Sequence, residues 1–271
     1  PDAGHPAERG SGAGRIVNTG TAGALAAHLL GLADDELILA HRDSEWTGHA
    51  PILEEDIAFS NLALDELGHA GLWYAAHAEL LGEDPQTRPD ELAFLREPAD
   101  FRNVQMVELP NGDWAFSMLR QYLFDAAEMV RLEALLNSQH RPIAERAAKI
   151  AQEERYHLRH TAAWVRRLGL GTEESNRRMQ AALEVLYPYA QQLFQPQDGQ
   201  ADLVGQGYIP SEQATFADWW GRVRQDLEGA DLRLPEAAES PAASRAEHSE
   251  HLAQLLSEMQ VVARSDREAA W

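Results

Sequence analysis

The stretch Asp65-Glu66-Leu67-Gly68-His69 decides how the chain is read, together with its echo Glu153-Glu154-Arg155-Tyr156-His157, 88 residues further on. Each contains Glu-x-x-His. Three residues apart on a helix puts both side chains on one face about one turn apart, so each pair can present a carboxylate and an imidazole to one point. A tryptophan follows each pair, Trp73 and Trp164. One such pair is weak evidence, because glutamate and histidine are ordinary helix-surface residues. Two pairs within repeated helical hairpins fit a dinuclear metal site in a four-helix bundle, provided two further helices each add a carboxylate.

Working outward, apolar periodicity predicts a helix over 21–43, with Leu25, Leu29, Leu32, Glu36 and Leu39 on one stripe. Glu36 is thus a carboxylate on an apolar face. The turn Glu45-Trp46-Thr47-Gly48-His49-Ala50-Pro51 ends it, and a second helix over 53–82 faces Phe59, Leu62, Glu66, His69, Trp73 and Leu80 inward. Residues 83–112 read as a partly helical crossover. A third helix over 113–138 turns Met118, Tyr122, Asp125, Met129, Leu132 and Leu136 inward. Two acids compete on it. Glu128 shares a face with Ser117, Gln121 and Arg131, read as a solvent face, so Asp125 is preferred on helical phase. A fourth helix over 142–168 buries Ala147, Ile150, Glu154, His157, Thr161 and Trp164. Then come a fifth helix over 173–195 with Pro188 as a kink, a Pro/Gly-rich loop over 196–212, and short helices near 213–228 and 245–264. Residues 1–18 read as a flexible tail and 19–271 as one helical domain. No alternating β pattern lasts more than a few positions, so the fold class is all-α.

The candidate metal ligands are Glu36, Glu66, His69, Asp125, Glu154 and His157. Their separations repeat, 30 residues from Glu36 to Glu66 and 29 from Asp125 to Glu154. In an antiparallel hairpin, residues equally far from the shared turn come level. Taken singly, each acid also reads as a buried carboxylate paired with arginine or backbone, and each histidine as a satisfied core histidine. Taken together, four carboxylates in one core repel unless cations lie between them. Two divalent ions balance four carboxylates, and an oxygen/nitrogen donor set without sulfur suits two Fe ions, with Mn as the other option. Asp65 and Glu153 are read as solvated, with acceptance of a histidine N–H as the other reading. His41, His49, His77 and His160 are read as surface or turn residues, and Trp73, Tyr122, Tyr156 and Trp164 as core packing.

Composition narrows the function classes. A formal net charge of −21 opposes nucleic-acid binding, which needs a basic surface. Zero cysteines exclude disulfides, thiolate ligands and iron–sulfur clusters. No apolar run approaches the roughly 20 residues of a membrane helix, and the start, Pro1-Asp2-Ala3-Gly4, lacks a signal-peptide pattern. A cytoplasmic location is the default expectation.

Five motifs carry a resemblance: Glu45-Trp46-x-Gly48-His49-Ala50-Pro51, Asn61-x-x-Leu64-Asp65, Glu108-x-Pro110-Asn111-Gly112, Arg120-Gln121-Tyr122-x-x-Asp125-Ala126 and Arg155-Tyr156-His157-x-Arg159. Together they resemble the C-subunit family of ring-1,2-phenylacetyl-CoA epoxidase, from about residue 24 to Trp271. The resemblance implies a ferritin-like fold and a place in a multicomponent bacterial monooxygenase of aerobic phenylacetate breakdown. It also implies a homologous helical oxygenase subunit or a second copy as partner, an external NAD(P)H-dependent reductase, and an acyl-CoA substrate. In that family the A subunit holds the diiron site and the C subunit is its structural partner. C subunits typically carry non-ligating residues where Glu36, Glu66, His69 and Glu154 stand here, whereas all six candidates match the A-subunit ligand pattern. The chain therefore resembles a C-type sequence with an A-type centre. Two expectations follow, a diiron oxygenase component with no catalytic groups beyond the ligands, or a non-catalytic scaffold subunit.

Overall fold

A computed structural model describes residues 20–197, 199–235, 240–242 and 244–266. Residues 1–18, expected as a tail, lie outside the described residues. The described chain is all-α, a ferritin-like bundle, and among the described residues there is no strand. Its helices are α1 (Thr21–Ser44), α2 (Leu53–Leu81), α3 (Arg88–Phe94), α4 (Gln105–Glu108), α5 (Trp114–Leu135), α6 (Arg141–Gly169), α7 (Glu173–Ala190), α8 (Gln200–Gly205), α9 (Glu212–Gly229), α10 (Glu250–Met259) and α11 (Val261–Ser265), with short 3-10 turns at Pro98–Asp100 and Gln191–Phe194. No helix among the described residues is long and apolar enough to cross a membrane.

Two antiparallel hairpins, α1–α2 and α5–α6, form the bundle, and α2 meets α6 across it. Local chemistry sets their limits. Gly82, at φ +70°, closes α2 in the left-handed conformation that a side chain would resist. The Asp113 side chain accepts from the Phe116 N–H at 3.0 Å and caps α5. The α6 helix is amphipathic, burying Ala147, Ile150, Glu154, His157 and Thr161 along one stripe.

The α5 helix is different, because α7 and α9 cover the side turned away from the bundle. Ser117, Gln121, Glu128 and Arg131, expected on a solvent face, are all buried, and on the bundle side: Ser117 accepts from the Trp46 indole, Gln121 donates to Glu66 and Glu128 lies beside Glu36. Helical phase could not show this, since it identifies a solvent face only where one exists. The α9 helix is tied to α5 by Trp219, whose Nε1–H donates to the Leu123 carbonyl at 3.1 Å, and by Tyr122, whose hydroxyl donates to Asp226 at 2.7 Å. Leu136, expected inside, is 40% exposed because α5 ends one residue earlier. The expected loop over 196–212 contains α8, and the helix expected over 245–264 divides into α10 and α11.

The crossover between α2 and α5 is held by α1's own acids. Asp34 accepts from the Tyr74 hydroxyl at 2.5 Å, the Arg102 backbone N–H at 2.7 Å and the Arg96 guanidinium. Asp35 accepts from the Val104 N–H at 2.7 Å and from Arg245 Nη1 at 2.8 Å. The buried Glu108 accepts from Asn103, His248 and both the N–H and hydroxyl of Ser249, which fixes the start of α10. Each buried anion here is matched by donors. That matching makes the next residue of α1, Glu36, stand out.

Candidate metal centre

Glu36 is 1% exposed, and neither carboxylate oxygen has a hydrogen-bond partner. Burial without a donor is costly, and the neighbours show what Glu36 faces. His69 Nδ1 lies 3.8 Å from Glu36 Oε2 and 3.5 Å from Glu66 Oε2. Across the bundle, His157 Nδ1 lies 3.1 Å from Glu154 Oε2 and 3.5 Å from Glu66 Oε1. Ligand-type atoms of Glu36, Glu66 and His69 all fall within 4.8 Å of one another, as do those of Glu66, Glu154 and His157. Glu66 belongs to both sets and stands where a bridging carboxylate would. The imidazole rings are 5.8 Å apart, centroid to centroid.

The structure thus brings five of the six expected residues into two triads sharing Glu66. The sixth, Asp125, is fully buried beside them but outside the triads. Its Oδ1 accepts from Gln121 Nε2 at 2.8 Å and its Oδ2 from the Thr161 hydroxyl at 2.6 Å. The same Gln121 nitrogen donates to Glu66 Oε1 at 2.9 Å.

Both histidines point Nδ1 at the carboxylates and Nε2 outward. The Nε2–H of His69 donates to Glu153 at 2.9 Å, and that of His157 donates to Asp65 at 3.2 Å. The contacts are crossed, because the acid preceding each Glu-x-x-His holds the histidine of the other helix. Asp65 and Glu153, expected as solvated, therefore orient the imidazoles while keeping one edge in water. An Nε2–H bonded outward makes Nδ1 the ring nitrogen that would ligate a metal once its proton is lost.

Electrostatics describes the same cluster. Burial holds Glu36 well above the usual carboxylate range, and the charges of Glu66, Glu128 and Glu154 add to this. Burial likewise raises Asp125, and brings Glu154 to about 7 against the pull of His157. Burial also acts to raise Glu66, but its close approach to Glu36, His157 and His69 holds it well below the normal range. Burial would lower both histidines. Glu66, aided by Glu154 and Glu153, instead raises His69 to about 9, and Glu154 with Glu66 raises His157 to about 12. The raised imidazoles and carboxyls share one cause, a buried cluster of acids that favours positive charge beside it, whether from protons or from divalent cations. The donor set is oxygen and nitrogen only, and Glu36 Oε1 and Oε2, Glu66 Oε2, His69 Nδ1 and Glu154 Oε1 are buried without a hydrogen-bond partner. These residues fit a pair of divalent ions.

Several residues around the centre were not among the candidate ligands. Gln121 and Thr161 carried a usable signal, since they lie four residues before Asp125 and seven after Glu154, spacings that keep a helix face. Glu128, buried and paired with Arg131 at 2.8 Å, keeps Oε1 unpartnered and adds negative charge near Glu36. Asp43, two turns beyond Glu36 on α1, is buried 3.6 Å from Arg120. Other expectations need correction. His77 is buried, with Nδ1 2.8 Å from the Ala26 carbonyl, because α1 covers it. His160 is half-buried, 3.0 Å from Glu55. Tyr156 is exposed and stacks on His160 instead of entering the core. Trp164 is half-buried and meets Trp114 edge-on, whereas Trp73 and Tyr122 are fully buried as expected.

The phenylacetic acid catabolic protein family model matches residues 15–271. The chain is 37% identical over 241 residues to the C subunit of 1,2-phenylacetyl-CoA epoxidase from Escherichia coli (strain K12), covering 89% of this chain and 96% of that protein. It is also 26% identical over 166 residues to the A subunit of the same epoxidase, covering 61% of this chain and 52% of that one.

Proposed function

The chain belongs to the phenylacetic acid catabolic protein family, and from that premise we propose that it is the metal-binding component of a multicomponent phenylacetyl-CoA epoxidase-like monooxygenase. In this reading Glu36, Glu66, His69, Asp125, Glu154 and His157 hold two iron ions. The observation that carries it is the set of buried, unpartnered carboxylate and imidazole atoms converging on Glu66. Held there, two ferrous ions would supply the O2 activation that an oxygenase needs.

The chain's own residues do the rest. Glu66, reached from both halves, is the carboxylate able to bridge. Glu153 and Asp65 fix the imidazole planes, and Gln121 aligns Glu66 with Asp125. Complete burial of Glu66, Asp125, Glu154 and His157 keeps bulk water from the centre. Partners in this reading are an external NAD(P)H-dependent reductase, a homologous helical subunit or second copy, and an acyl-CoA substrate.

The test is anaerobic loading with Fe(II), followed by metal analysis and Mössbauer spectroscopy. We expect two irons per chain, O2 uptake with reductase and phenylacetyl-CoA, and loss of both irons in Glu66→Ala. Intact metal content and turnover in Glu66→Ala would overturn the proposal.

A second reading is a scaffold subunit that retains a structural metal site. The match to the epoxidase C subunit, fuller than that to its A subunit, favours it. A scaffold would copurify with a catalytic homologue and, loaded with iron, would consume no O2 alone.

A further inference from the structure

The two halves of the centre are built differently. On the Glu36 side, Glu36 Oε1 and Oε2, Glu66 Oε2 and His69 Nδ1 are all free of hydrogen bonds, and Glu153 already fixes the His69 ring. On the Glu154 side, Glu154 Oε1 is free, but the other would-be ligand atoms are engaged with protein. Both oxygens of Asp125 are taken, one by Gln121 and one by Thr161. Glu66 Oε1 is taken by the same Gln121 nitrogen, and His157 Nδ1 lies within hydrogen-bond distance of Glu154 Oε2.

Gln121 is suited to this task. Its amide nitrogen carries two hydrogens and serves one carboxylate with each, while its buried Oε1 has no partner. The reversed amide would set a carbonyl oxygen against two carboxylates. The Thr161 hydroxyl has one hydrogen; it lies 2.6 Å from Asp125 Oδ2 and 3.0 Å from the His157 carbonyl, so the carboxylate is the better acceptor.

We propose that Gln121 and Thr161 are positioning residues that latch Asp125 and Glu66, so that the Glu36–Glu66–His69 half takes its metal ion first and the Glu154–His157 half fills only after the latch opens. This rests on the metal-binding reading above. The first ion meets atoms that no protein donor holds. The second must displace charge-assisted hydrogen bonds, which are stronger than neutral ones, before Asp125 can turn. The latch keeps the buried carboxylates satisfied until that ion arrives, at the expense of its affinity.

Cobalt(II) titration of the purified chain, followed by calorimetry and by the visible d–d absorption of the bound ion, tests this. The wild type should bind two ions in two steps separated by about tenfold or more in affinity, the size expected for hydrogen bonds to charged groups. In Thr161→Val and Gln121→Met the second step should tighten by about tenfold, with the first unchanged within about threefold. Thr161→Ser, which keeps the hydroxyl, should behave as wild type. Two equivalent sites in the wild type would overturn the proposal. So would a second step that is unchanged or weaker in the Val variant. Should Gln121→Met fail to fold, the Thr161 pair decides alone. Failure of the wild type to bind any cobalt sinks the metal reading itself, an outcome distinct from binding in one equal step.

Discussion

Asp34, Asp35 and Glu36 are consecutive buried acids on one helix, and only the third lacks a donor. Asp34 and Asp35 are used up in holding the crossover, whereas Glu36 faces another carboxylate and an imidazole. Counting donors separates Glu36 from its two neighbours. At the same scale, the crossed contacts of Glu153 and Asp65 set the imidazole orientation. Replacing Glu153 by Gln and Asp65 by Asn together should weaken iron or cobalt binding by about 10–100-fold, measured by calorimetry. Both side chains are partly exposed, so the melting temperature should move little. Equal losses of stability and affinity would mean that these acids hold the fold instead of the metal.

At the scale of elements, α1 is the costly helix. It is buried on nearly every face from Leu25 to Asp43 and carries four acids in that span. Its position depends on cations from remote segments, Arg96 for Asp34 and Arg245 for Asp35. Arg245→Ala should destabilise the protein by about 3–5 kcal/mol, the usual cost of leaving one member of a buried ion pair, measured by urea denaturation. A loss below about 1 kcal/mol, the scale of a surface pair, would show that water or a protonated Asp35 replaces the arginine. The α5 helix teaches a different lesson. Its apolar stripe was legible from spacing, and so was Asp125. The burial of Glu128 and Arg131 was not, because Glu128 sits inside the bundle beside Glu36 and Glu66, and Arg131 is held by Glu128 and the Leu193 carbonyl.

At the scale of the molecule, the proposed metal ions would compete with protons for one pocket. His69 and His157 have pKa values raised above the usual histidine range in the folded chain, to about 9 and about 12. Their contribution to stability is therefore fully present below pH about 6.5 and is lost as pH rises through the folded values. The metal-free protein should lose stability progressively above about pH 6.5, seen as a falling melting temperature. Because metal ligation needs neutral imidazole, the metal-loaded protein should lack that loss. Metal binding at about pH 7 should release about two protons from the histidines, measured by calorimetry in buffers of different ionisation enthalpy, and affinity should rise with pH. Metal uptake without proton release would place the ions elsewhere.

The sequence by itself determined the helical class, the two hairpins, and five side chains that converge on Glu66's pocket, because helical periodicity and hairpin symmetry are local rules that spacing expresses directly. Asp125 was legible as an inward acid on the same grounds. Only the tertiary structure decided that Asp125 is tethered by Gln121 and Thr161, that Asp65 and Glu153 reach across to the opposite histidines, and that Glu128 is inside. Each of these depends on which helix covers which face, and on the free energy of leaving a buried polar atom alone. Neither quantity can be counted until the chain has closed on itself.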